Sequence, residues 1–125
     1  VTFADTCFLI DLMHGDAGAM EIAGRIPDLK TTAISSAEFL YGARRSKKKN
    51  LYEVAVKYLN FFPVVPFDAA AAARYADIAG SFSKKGRHIS TLDELIAAIV
   101  LCHGEPLITR DRHFSAIEGL ECIPY

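Results

Sequence analysis

Four acidic residues, Asp5, Glu38, Asp93 and Asp111, are spread along a chain of 125 residues, and each falls at or just inside a predicted helix start. Singly, each has an ordinary structural role. Asp5 can end a strand, Glu38 can complete a capping box with Ser35, Asp93 can complement a helix dipole, and Asp111 can be an N-cap. Jointly they can do chemistry. Carboxylates within ~4–6 Å of one another raise each other's pKa unless a cation neutralises them. A hard divalent ion with oxygen ligands does so, and can then activate water and stabilise charge on a phosphoryl group. The chain shows no His or Cys spacing that would compete as a zinc site.

The elements that must gather these acids follow from the apolar pattern. Val1 to Ala4 is a short apolar run that suits a buried parallel strand, with Thr6 placed to cap the helix that carries Phe8, Leu9 and Leu12. Asp16 caps a second helix, Ala17 to Ile26, ended by Pro27. Leu29 to Ile34 reads as a strand, and Ser35-Ser36-Ala37-Glu38 has the form of a capping box opening the next helix. A helix from Leu51 to about Phe61 is stopped by Pro63. Val64 to Phe67 is a strand, and Asp68 caps a helix from Ala69 to about Ser83. Lys84 to Thr91 reads as a loop. Leu92 to Cys102 is a helix apolar nearly all round, hence buried. Leu107 to Thr109 is a strand, Asp111 opens a short helix, and Glu121 to Ile123 is a last edge strand. Strands alternating with helices imply a parallel sheet covered on both faces, in one domain spanning residues 1–125. Asp5, Glu38 and Asp111 then follow strands at one sheet edge, where ligands bind in open α/β folds.

Composition bounds the function. Hydrophobic residues make up 51%, enough for a sizeable core. The longest nearly apolar runs, such as Leu95 to Cys102, are far too short to span a bilayer, and no signal-peptide pattern opens the chain. Three widely spaced cysteines, Cys7, Cys102 and Cys122, fit reduced thiols in a cytosol better than a disulfide framework. The net charge of −1 excludes a strongly basic nucleic-acid binder by total charge. Two local basic blocks remain, Arg44-Arg45-Ser46-Lys47-Lys48-Lys49 and Lys84-Lys85-Gly86-Arg87-His88. They read as solvated helix ends or as places for phosphate contact.

Other side chains are secondary. Thr6 and Thr109 flank the acids and can hold a carboxylate or a metal-bound water. Arg110 and Arg112 can contact phosphate or simply lie at the surface. Glu94 can line the rim of the site but reads better as a solvated first-turn residue, and Asp11 as a surface one. None of His14, His88, His103 or His113 shows a partner in the sequence, so none is given a catalytic role.

Four segments resemble the PIN-domain family, and most of all the small ribonuclease toxins of the VapBC type. They are Asp5-Thr6-Cys7-Phe8-Leu9-Ile10-Asp11, Ser36-Ala37-Glu38-Phe39-Leu40-Tyr41-Gly42, Asp93-Glu94-Leu95-Ile96-Ala97-Ala98 and Leu107-Ile108-Thr109-Arg110-Asp111-Arg112-His113-Phe114. Their order and separations fit the family across nearly the whole chain. The resemblance implies a three-layer α/β/α sandwich with a central parallel sheet. It also implies an endoribonuclease dependent on Mg²⁺ or Mn²⁺. Asp5 and Asp93 would be the principal metal ligands, with Glu38 and Asp111 completing the site directly or through water. A homodimer and a small antitoxin of the VapB type are implied as well, in the cytoplasm. Arg44, Arg45, Lys47, Lys48, Arg110 and Arg112 would be the candidate RNA contacts. The sequence departs from the family at Cys7, where Asn or Ser is usual, and at Glu94, where a small apolar residue is usual. The alternatives are an RNA-processing nuclease of the same family, a non-catalytic binding module, and a receiver-type phosphoacceptor domain.

Overall fold

A computed structural model describes residues 1–125. Its five short strands are β1 (Thr2–Ala4), β2 (Leu29–Thr32), β3 (Val64–Val65), β4 (Leu107–Ile108) and β5 (Cys122–Ile123). They form one sheet in the order β3-β2-β1-β4-β5, and every pairing is parallel. Parallel neighbours require crossovers, which the helices supply. These are α1 (Thr6–Met13), α2 (Ala17–Arg25), α3 (Ala33–Arg45), α4 (Leu51–Leu59), α5 (Ala69–Lys84) and α6 (Thr91–His103), with a 3₁₀ turn at Arg112–Ala116.

Side-chain alternation on β1 divides the core. Phe3 joins a cluster with Ile78 and Phe82 of α5, Ile96 and Ile99 of α6, and Phe114. Ala4 points the other way, into a cluster with Phe8 and Leu9 of α1, Ala19 of α2, Phe39 of α3 and Ala55 of α4. Helices therefore cover both faces, as expected for the α/β/α sandwich. No helix is long and apolar enough to cross a membrane.

Three caps form as the sequence predicts. Asp16 accepts from the Ala19 amide, Asp68 from the Ala71 amide and Asp111 from the His113 amide, each at 2.9 Å. Two do not. Asp5, rather than Thr6, occupies the cap position of α1, in extended backbone and with no side-chain cap bond. The Ser35–Glu38 box is also absent. Thr32 ends β2 and accepts from the Ser35 amide at 3.0 Å, so α3 begins at Ala33. Thr32 is fully buried, and burial of its hydroxyl demands a partner that the helix start provides. Helix α6 likewise begins earlier than expected, because Ser90 accepts from the Asp93 amide at 3.1 Å.

The order of the strands fixes the site. The chain moves outward from β1 to β2 to β3, then returns to the far side of β1 as β4. The carboxyl ends of β1 and β4 thus meet where the winding reverses, and a crevice opens there. The Asp5 amide donates to the Ile108 carbonyl at 3.1 Å, tying the two ends together.

Candidate active site

Asp5 leaves the central strand almost completely buried, at 4% exposure. The Thr109 hydroxyl donates to its Oδ2 at 2.7 Å, and the Cys7 thiol donates to the same oxygen at 3.4 Å. Thr109 Oγ1 in turn accepts the Asp111 amide at 3.0 Å, so one threonine joins the first acid to the turn that carries the last. On the other side, the Thr6 hydroxyl donates to Glu38 Oε1 at 2.8 Å. Thr6 and Thr109, read from the sequence as flanking holders, do hold carboxylates.

Electrostatics connects the four acids through Asp93. Burial pushes Asp5 up to about 6 from its ordinary 3.8, against the hydrogen bonds from Thr109, the Thr6 backbone and Cys7, and the Asp93 charge adds to the rise. Burial also raises Glu38; the Thr6 hydroxyl opposes the shift and Asp93 reinforces it. Asp93 is raised first by burial, held back by Ser90, pushed up by Asp111 and drawn down by His113. Each of the other three acids is thus within charge–charge reach of Asp93. The Lys and Arg ion pairs of the chain are Arg25–Glu21, Lys30–Glu105 and Arg110–Asp11, so none of these cations neutralises Asp5, Glu38 or Asp93. A group of buried and half-buried carboxylate oxygens with no lysine or arginine among them is a donor set that suits a hard divalent ion.

The tightest grouping includes a residue that sequence reasoning missed. Ligand atoms of Asp93, Asp111 and His113 lie within 4.8 Å of one another. His113 Nδ1 is 2.9 Å from Asp111 Oδ1. The Asp-x-His spacing at a helix start was the available signal, since the cap that holds Asp111 also brings the imidazole back over it.

Cys7 is a thiol rather than a thiolate: burial and the Asp5 charge both push it up. It therefore gives Asp5 a weak hydrogen bond where an amide or hydroxyl would give a stronger one. Glu94 is not solvated. It is 7% exposed, because α6 is packed on nearly all sides, and burial raises its carboxyl while His88 draws it down. Asp11 is not free at the surface either. It accepts from the Tyr125 hydroxyl at 2.6 Å and pairs with Arg110 Nε at 2.8 Å. Arg110 is thereby committed to Asp11. Arg44 and Arg45 stack on Tyr52 and Tyr41, with 3.5 and 5.6 Å to the ring centroids. They lie on α3 about 9 Å or more beyond Glu38 by helix rise, and Lys47 and Lys48 follow, exposed.

A family model described as PIN domain matches residues 2–120. The chain belongs to the PIN-domain family. A named relative, VapC ribonuclease Y4jK of Sinorhizobium fredii, is 32% identical over 108 residues, covering 81% of this chain and 77% of the relative. The tRNA(fMet)-specific endonuclease VapC of Shigella flexneri is 28% identical over 92 residues, covering 71% of this chain and 69% of that protein. Among solved structures, a DNA-bound VapBC from Salmonella typhimurium superposes with a TM-score of 0.88 at 20% identity, covering 98% of this chain and 96% of that one. The family match gives the receiver-type alternative no support.

Proposed function

We propose that this PIN-domain protein is a metal-dependent endoribonuclease, and the toxin of a toxin–antitoxin pair whose partner is a small VapB-type protein. The observation that carries the reading is the convergence of Asp5, Glu38 and Asp111 on Asp93 at the carboxyl edge of the sheet, with no lysine or arginine to balance them. The VapC relatives, named as ribonucleases, support RNA as the substrate. The free cysteines suit a reducing cytoplasm.

Asp5 and Asp93 would hold a Mg²⁺ or Mn²⁺ ion, with Glu38 and Asp111 completing its surroundings. When bound, such an ion lowers the pKa of water and stabilises charge on a phosphodiester. The chain itself does the positioning. Thr109 fixes Asp5 Oδ2, Thr6 fixes Glu38 Oε1, and the His113 backbone amide fixes Asp111 Oδ1. Burial of Asp5 strips competing water from one side of the carboxylate, so a cation meets a preset oxygen array rather than a hydrated one.

The test is co-purification with the product of the adjacent gene, followed by an RNA cleavage assay on the freed protein with and without chelator. Chelator-sensitive cleavage that the partner suppresses is expected. Absence of cleavage with Mg²⁺ or Mn²⁺ would overturn the enzyme reading, and absence of a suppressing partner would overturn the toxin reading.

A further inference from the structure

Beside the acids lies a cleft of opposite character. It has a volume of ≈ 270 Å³ and is lined by Arg87 and His88 from the loop before α6, by Arg112 and His113 from the 3₁₀ turn, and by Phe82 and Ile89 on its apolar side. No aspartate or glutamate lines it. Arg87, His88 and Arg112 enter no ion pair, although the charge of buried Glu94 reaches His88. That leaves Arg87 and Arg112 as permanent cations lining one cleft. His113 belongs both to this cleft and to the group with Asp93 and Asp111, so the cleft adjoins the acidic centre.

We propose that this cleft is an RNA-backbone subsite, in which Arg87 and Arg112 each grip a phosphate of the strand flanking the one that is cleaved. The inference rests on the nuclease reading above and adds to it the direction in which the strand leaves the centre. Two guanidiniums on one cleft suit a phosphodiester, whose oxygens accept bidentate hydrogen bonds. An acidic protein segment would meet the same cations. The shared His113 favours the substrate strand, because whatever fills the cleft lies beside the place where phosphate chemistry would occur. Of the two basic blocks in the sequence, the second therefore carries the contact through Arg87. Of the paired candidates Arg110 and Arg112, only Arg112 is free to share it.

The experiment measures binding of a fluorescein-labelled, mixed-sequence single-stranded RNA to Asp5→Asn protein as salt is varied. Counterion release gives a log–log slope of about −0.7 per phosphate contacted on a single strand. Arg87→Ala and Arg112→Ala, each added to that background, should shallow the slope by about 0.7 and weaken binding several-fold. Arg112→Lys should restore the slope. Arg25→Ala, on the opposite layer, should leave it unchanged. Melting temperatures check that each variant folds. If wild-type protein cleaves RNA while both arginine variants keep the parent slope, the subsite is wrong and the nuclease reading stands. If wild-type protein neither binds nor cleaves RNA, both fall. Loss of antitoxin affinity with unchanged RNA slopes would assign the cleft to an acidic peptide and overturn the proposal.

Discussion

The Thr6 hydroxyl donates to Glu38 Oε1 at 2.8 Å, joining the start of α1 to the second turn of α3 across 32 residues of chain. Glu38 is therefore held from outside its own helix, while Thr32 provides the cap. Glu38→Gln should lower RNA cleavage sharply yet change unfolding stability by less than about 1 kcal/mol. Thr32→Ala should cost about 1 kcal/mol as a lost cap. Thr6→Ala should reduce activity, with Thr6→Ser restoring it. Initial rates and urea denaturation on the same preparations separate these outcomes. A large stability loss in Glu38→Gln would return that residue to a purely structural role.

Asp5→Asn and Asp93→Asn should each all but abolish cleavage, because each removes a charged ligand from the proposed metal site. Circular dichroism should show both folded. Undiminished metal-dependent cleavage in both variants would remove the quartet from the chemistry.

Adding Mn²⁺ to the protein freed of its partner should raise its melting temperature. Ion at ~100 times its dissociation constant stabilises by about 2.7 kcal/mol, since it binds the folded form alone. Chelator should reverse the rise, and Asp93→Asn should abolish it. A wild-type melting temperature that Mn²⁺ leaves unmoved would show that no ion neutralises the acids.

Burial leaves a measurable pH signature at Asp5. Its carboxyl titrates near 6 in the folded chain against an ordinary 3.8, so between these values the folded form binds more protons than the unfolded. Stability without metal should then fall as pH rises from about 4 to about 6, and the lost contribution should stay lost above that. The full shift corresponds to about 3 kcal/mol as an order of magnitude. Asp5→Asn should flatten this slope and stabilise the metal-free protein at pH 7. Metal should invert the trend, because an ion needs the deprotonated ligand. Melting curves across this window, with and without Mn²⁺, check both signs. A metal-free wild type whose pH profile matches that of Asp5→Asn would contradict the buried-acid account.

What the sequence made legible, and what it hid, divides along physical lines. Strand and helix order followed from apolar spacing, and Asp16, Asp68 and Asp111 were recognisable as caps because an acid stood alone before a helical pattern. Around Thr32 two overlapping signals competed, Thr32 three residues before Ser35 and Ser35 three residues before Glu38. Local pattern cannot choose between them; the tertiary bond from Thr6, which draws Glu38 away from Ser35, does. Glu94 and Asp11 were read as exposed because charge predicts exposure. Tertiary neighbours decide otherwise: the packed helix buries the first, while Arg110 and Tyr125 hold the second. His113 escaped notice because one of its partners, Asp93, lies on a different element.

Because β4 takes its place beside β1 only after the outward strands have been laid down, the centre is finished late in synthesis. A nascent chain carries Asp5 and Glu38 well before Thr109 and Asp111 emerge. Until they do, Asp5 lacks its hydroxyl partner and the crevice has one wall. If the chain is the ribonuclease proposed above, products terminated before Thr109 should therefore lack its activity.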